Sequence, residues 1–339
     1  MKTRLTLFSV TFLLFALVSS LVSGCERERS RPDELVVYAY DSFTSDWGPG
    51  PALSRLFSDK TGVKVTMISC GDAAQVLSRA VFEKKNPAAD VLVGIDGNLA
   101  DAARRAGVLE PYKSPAHANV PEELRLADDW LLTPYDWGYF ALIFDTASSV
   151  PAPVSLEDLT RPEYAKRLIL MDPRTSTPGL GFVAWTGAAY GDEYLAYWER
   201  LKPSVLTLAP GWDSGYGLFT SGEAPLVISY TTSPAYHAEY DKTDRYRALV
   251  FPEGHIRQIE GLGVVKGAAN RKAARAFVDF MLTDEAQSVL PLTQWMYPVS
   301  PSVTLPESYA AAPRADKALE VSPERVSAAV DAVLDVLSK

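Results

Sequence analysis

Cysteine is nearly missing from this sequence. Among 339 residues there are two, Cys25 and Cys70, and only three histidines, His117, His237 and His255. The histidines are scattered, without the close spacing that metal ligation needs, so no resident metal is expected. Lys and Arg number 33 against 42 Asp and Glu, a net charge of −9, which argues against nucleic acid as a partner. The chain has no phosphate-binding P-loop, no dinucleotide fingerprint and no internal repeat, and no cofactor is expected. After the first two dozen residues, no segment is apolar enough to cross a bilayer.

What is present begins with a leader. Lys2 and Arg4 precede an apolar run from Leu5 to Leu17, and small residues follow. The run is short for a membrane span, so residues 1–24 read as an export signal. Both leader charges are basic, so the chain without the leader carries −11. Leu21, Val22, Ser23, Gly24 and Cys25 resemble a bacterial lipobox, in which cleavage leaves a lipid-bearing cysteine. The alternative is a plain secretory signal that happens to contain a cysteine. With Cys25 lipidated, Cys70 has no disulfide partner, and stability must come from an apolar core, which this length allows. Residues 25–34 are polar and charged and read as a flexible tether.

From Leu35 the hydrophobic period alternates between strand and helix. Strands are expected at 35–40, 63–68 and 90–95, and helices after Pro51 (Leu53, Leu56 and Phe57 on one face, Thr61 and Gly62 ending it), at 73–84 and at 98–106. Val76, Leu77, Ala80 and Val81 mark one helical face, and Asn86 with Pro87 ends that helix. This order implies a mostly parallel sheet flanked by helices. A long apolar strand at 137–144 and a return strand at 260–265 follow, with helices at 193–201, 272–282, 284–289 and a last one capped by Ser322 and Pro323. Its stripe of Val326, Val330, Val333 and Leu337 reads as packing surface.

Two strand ends stand out. Leu168–Met171 runs into DPRTSTPGLG at 172–181, where Thr177 and Pro178 read as N-cap and first helical residue. Such a helix start can bind an anion or a hydroxyl. Leu226–Ile228 runs into SYTTSPAYH at 229–237, again hydroxyl-rich with a proline. Two such ends in one α/β chain suggest one shared cleft.

Together with YAYDSF at 38–43, DWGPGP at 46–51, GW at 211–212, YGLF at 216–219 and WMYPV at 295–299, these stretches resemble the thiamine-binding solute receptors of ABC transporters. The resemblance covers nearly the whole chain after the leader. It implies the type II periplasmic-binding-protein fold: two α/β lobes, with 35–138 in lobe 1, 139–264 in lobe 2, and 265–339 returning to lobe 1. It also implies thiamine as ligand, an ABC permease and its ATPase as partners, a monomer, and a periplasmic location with a lipid anchor on Cys25.

The residues carried over as ligand-binding are Tyr40, Trp47, Asp72, Ala73, Ser176, Thr177, Trp212, Tyr230, Thr231, Thr232, Ser233, Tyr236 and Trp295. Ala73 departs from the family's glycine. Tyr216 and Phe219 read as packing, and Asp72 also suits a helix N-cap. Thiamine combines a permanent cation, a flat aminopyrimidine and a hydroxyethyl arm. Indole and phenol faces would hold the cation, at roughly 0.5–2 kcal/mol each, and a carboxylate would balance its charge. A phosphate ester would place its phosphate at Ser176 and Thr177. Two other readings stay open here: a thiamine-cleaving enzyme with Cys70 as nucleophile, and a receptor for another small solute.

Overall fold

The computed structural model describes residues 33–339. The expected leader, the lipidation site Cys25 and nearly all of the tether lie outside the described residues.

Among the described residues twelve strands form the sheet: β1 Glu34–Ala39, β2 Lys64–Ser69, β3 Val91–Asp96, β4 Leu109–Glu110, β5 Thr133–Asp145, β6 Leu168–Met171, β7 Val205–Ala209, β8 Leu226–Tyr230, β9 Tyr246–Leu249, β10 His255–Val265, β11 Tyr297–Pro298 and β12 Ala318–Leu319. The main path runs β2-β1-β3-β10-β5-β8-β6-β7. Pairing is parallel at both ends, between β1, β2 and β3 and between β6, β7 and β8. In the middle, β10 and β5 are antiparallel. β3 and β6 are buried along their whole length, as expected for parallel strands with helices on both faces.

The strand β5 joins the two ends of the sheet. Its first half, Thr133 to Tyr139, pairs with β10, and its second half, from Phe140, pairs with β8 and β9. One continuous strand therefore belongs to both halves of the molecule. This crossing strand is legible in the sequence, whereas β7 and β9 are not, because their short runs carry polar residues.

Helix boundaries follow the local chemistry. Asp72 caps the helix Ala73–Phe82: its carboxylate accepts from the Ala73 N–H, and the Gln75 side chain returns to the Asp72 N–H. Gly62 ends the helix Pro49–Thr61 at φ 73°, a left-handed cap that suits glycine. Ser176, not Thr177, is the N-cap of Thr177–Tyr190, one residue earlier than expected. The helix expected at 284–289 stops at Gln287, and a separate short helix, Leu290–Thr293, follows it, because Pro291 cannot donate within a continuous helix.

The core of the first half includes Phe57, Phe277 and Phe280, whose rings meet at 5.2 to 6.1 Å. Phe277 has no exposed surface. Truncating a buried Phe leaves a cavity that the surroundings fill only partly, so Phe277→Ala is expected to destabilise the protein by about 3–5 kcal/mol. Urea denaturation of the two proteins checks this. The final helix Pro323–Ser338 buries Val326, Ala329, Val333 and Val336. It packs on Thr177–Tyr190, Tyr194–Leu201 and Gly97–Ala106, and so touches both halves.

Candidate ligand-binding cleft

A cavity of about 870 Å³ opens where strand ends and helix starts of the two halves face each other. Its lining includes Tyr40, Trp47, Asp72 and Ala73 from the first half. Thr177, Trp212, Tyr230, Ser233 and Tyr236 face them from the second. Trp295 closes one side from the returning segment. Ten of the thirteen residues named from the sequence thus meet around one space.

The other three stand behind it. Ser176, Thr231 and Thr232 are fully buried and are not part of the lining. The Ser176 hydroxyl lies near the Asp72 carboxylate and lowers its pKa without a well-formed hydrogen bond. The Thr232 hydroxyl points to the Met296 sulfur at 3.9 Å. At the end of β8 the chain turns into a short helix at Ser233, and Thr231 and Thr232 between Tyr230 and Ser233 are tucked under the surface.

The aromatic wall has two parts. Trp212 stacks on Tyr216 at 4.9 Å and 19°, and Trp47 leans toward Trp212 at 6.3 Å from the opposite half. The Trp212 indole N–H donates to Ser229 Oγ at 2.8 Å, which fixes the ring plane. Tyr216 lines the cleft, although its sequence context read as packing; its phenol is 2.9 Å from His237 Nε2. Phe219, one turn on, is core as expected. Across the cavity Trp295 meets Tyr236 and Tyr240 edge to face at 5.4 and 5.6 Å. Trp295 holds a left-handed backbone at φ 59°. That conformation costs a non-glycine residue about 1–2 kcal/mol, so the surrounding fold holds this indole in place against its backbone preference.

The charge is one-sided. Among the described residues the lining holds four acids, Asp46, Asp72, Asp213 and Glu260, and no Lys, Arg or His. Burial pushes the Asp72 carboxyl up, and hydrogen bonds from Ala73 and Trp212 backbone N–H groups pull it partly back. The Trp212 N–H donates to Asp72 Oδ2 at 3.0 Å, so a carboxylate of one half caps a helix of the other. Asp213 is pushed up to about 6 by burial and by Asp41 and Asp72 nearby. Sequence reasoning missed Glu260, which lies inside an apolar strand and carries no local signal of exposure.

Cys70 is half-buried and not in the lining. Burial raises its thiol pKa, which leaves little thiolate for nucleophilic attack. Among the described residues no group of His, Cys, Asp and Glu is arranged to hold a metal, and no helix is long and apolar enough to cross a membrane.

A curled mixed sheet with helices on both faces, folded around a cleft walled by two halves, defines a two-lobed solute-binding protein of type II. Residues 86–320 match the family model described as bacterial extracellular solute-binding protein. The thiamine-binding periplasmic protein of Brucella abortus is 40% identical over 319 residues, covering 94% of this chain and 93% of the relative. That of Escherichia coli is 39% identical over 298 residues, covering 87% and 89%. A solved structure titled periplasmic thiamin binding protein superposes with a TM-score of 0.85 at 36% identity, covering 90% of this chain and 96% of its own. The chain belongs to this family of periplasmic solute-binding proteins, and it is a binding component of transport rather than an enzyme. The reading of Cys70 as an enzyme's nucleophile is corrected accordingly.

Proposed function

We propose that this protein captures thiamine in the periplasm and delivers it to the permease and ATPase of an ABC importer, acting as a monomer held to a membrane by lipid on Cys25. The observation that carries the reading is the cleft itself: indole and phenol rings on opposite walls, with four carboxylates and no base between them. A flat organic cation suits that surface. Aromatic faces attract it at roughly 0.5–2 kcal/mol per contact, and the carboxylates balance its charge. Relatives at 40% and 39% identity carry thiamine-binding names, which supports the same ligand here.

Tyr40, Trp47, Asp72, Ala73, Thr177, Trp212, Tyr230, Ser233, Tyr236 and Trp295 are the residues we assign to the ligand, with Ser176, Thr231 and Thr232 supporting the wall from behind. Residues 35–138 and 265–339 form one lobe and 139–264 the other, hinged where β5 and β10 cross. Free thiamine is the preferred form. A phosphate ester could use the helix start at Thr177, but it would bring its anion beside Asp72.

Titration with thiamine is expected to quench tryptophan fluorescence, since Trp47, Trp212 and Trp295 all line the cleft. Calorimetry should show one site and no turnover. No heat and unchanged fluorescence would remove thiamine as the ligand. A thermal-shift panel with the thiamine phosphates, a polyamine and organic anions would then identify the solute, because a ligand stabilises by RT ln(1 + [L]/Kd).

A further inference from the structure

At the floor of the cleft two acids face each other across the central ladder. Glu260 of β10 is the direct partner of Asp136 of β5. Residues directly opposed in an antiparallel pair have Cβ atoms about 4.5–5.5 Å apart. Both residues are buried, Asp136 completely and Glu260 at 4% exposure. Glu260 reaches the cavity and Asp136 does not. Their environments differ. Glu260 is well supplied with donors: Tyr40 at 2.6 Å and Tyr135 on one oxygen, Gln258 at 2.7 Å on the other. Asp136 has none, since both its oxygens are buried without a hydrogen-bond partner.

A buried carboxylate without donors is costly as an anion, and the cost grows when a second carboxylate lies opposite. The groups around the pair do not relieve it. From β3 comes Asp96, from the start of Ala73–Phe82 comes Asp72, and from β5 and the segment after β1 come the phenols Tyr135 and Tyr40. Tyr230 of β8 feels both acids, and Tyr309 feels Asp136. The charged groups named around the pair are all acids. Gln294, which also lines the cavity, donates to the Tyr40 phenol and extends the network to the cleft surface.

We propose that Asp136 and Glu260 form a proton-sharing counter-ion for the cationic ligand, holding one proton between them in the empty cleft and releasing it to water when a permanent cation is seated over Glu260. The inference rests on the thiamine reading above and adds a residue pair and a linkage to it. Burial raises both carboxyl pKa values; the charge of Glu260 adds to the rise at Asp136, and hydrogen bonds from Tyr135 and Tyr40 oppose it at Glu260. Only Glu260 has donors to stabilise an anion. The proton in the empty protein therefore resides on Asp136, and Glu260 shares it through their opposition. A cation near Glu260 supplies the compensating charge and lowers the proton affinity of the pair. Binding thus favours the deprotonated form. Affinity is full at pH above the pair's titration and is lost as pH falls through it, by at most about tenfold per pH unit for one proton.

The test is calorimetry with thiamine in buffers of different ionisation enthalpy, from pH 6 to pH 8, on the wild type, Asp136→Asn and Glu260→Gln. In the wild type, the measured heat should depend on the buffer, reporting proton release, and affinity should fall toward pH 6. Asp213 and Asp72 also border the cleft, so the decisive quantity is the difference between wild type and Asp136→Asn. With Asp136 replaced by a neutral amide, the pair loses one titrating carboxyl, and the buffer-dependent heat should shrink by the proton that Asp136 released. Glu260→Gln should lose proton release and also bind more weakly.

Equal proton release in wild type and Asp136→Asn, with both folded by circular dichroism, would overturn the proposal. In parallel, infrared spectra of the ligand-free proteins should show a protonated carboxylic acid carbonyl in the wild type that disappears in Asp136→Asn. If thiamine fails to bind at all, the ligand assignment falls, and this ligand-free signal still decides whether the pair holds a proton: its absence overturns the pair as well.

Discussion

Trp212→Ala is expected to weaken thiamine binding by about two orders of magnitude, with little loss of stability. The indole is the middle of the Trp47, Trp212 and Tyr216 cluster and is oriented by its bond to Ser229. Its own backbone N–H holds Asp72 from the other half. Removing a buried aromatic anchor from a binding site typically costs about 2–4 kcal/mol, and each 1.4 kcal/mol is about tenfold in Kd. The ring is partly buried at the cleft edge rather than in the main core, so the fold should survive its loss. Trp212→Phe should recover part of the affinity, because a smaller ring keeps the face but not the Ser229 bond. Calorimetric titration of the three proteins checks this, and a Kd for Trp212→Ala within threefold of wild type would remove Trp212 from the site.

Gly179→Ala is expected to cost both stability and affinity, and the same helix supplies its control. A Cβ at Gly179 would lie 2.3 Å from the Met171 carbonyl oxygen and 2.7 Å from its carbon. Those are backbone atoms of β6, so no side chain can swing aside. The helix start must lift off the strand, at about 3 kcal/mol for overpacking of this kind. Because Thr177 and Pro178 on that start line the cavity, thiamine affinity should fall as well. Gly187, two turns further along, has nothing within 4 Å of its added Cβ. Gly187→Ala should therefore stabilise by about 0.5–1 kcal/mol through helix propensity alone. Thermal unfolding of both variants gives the sign directly. Gly179→Ala unfolding at or above the wild-type temperature would show that the helix start is not pressed on β6 as described.

Several parts of the cleft were legible residue by residue. Trp47, Trp212 and Trp295 sit beside Gly, Pro or polar residues, and that context separates a cleft ring from a core ring. Asp72 before an amphipathic run reads as an N-cap, which it is. The alternation of strand and helix up to Ala106 is written in the hydrophobic period. Other parts were not legible. Tyr216 looks like packing because it lies on the same helix face as Phe219, and only the neighbour Trp212 turns its ring toward the cavity. Ser176, Thr231 and Thr232 share the composition of their lining neighbours, but a turn of the backbone puts them underneath.

By itself the sequence determined the alternation of strand and helix through Ala106, the starts and stops of several helices, and the residue types able to hold a flat cation. These depend on neighbours within a few positions, where period, caps and turn residues act. Only the tertiary structure decided which side chains face one another, since that depends on pairing across long separations. Asp136 and Glu260 are 124 positions apart and meet because β5 and β10 pair antiparallel, with the register shifting just after Glu260. Neither acid signals its neighbour locally, and their shared burial, from which the proposed proton linkage follows, exists only in the folded sheet.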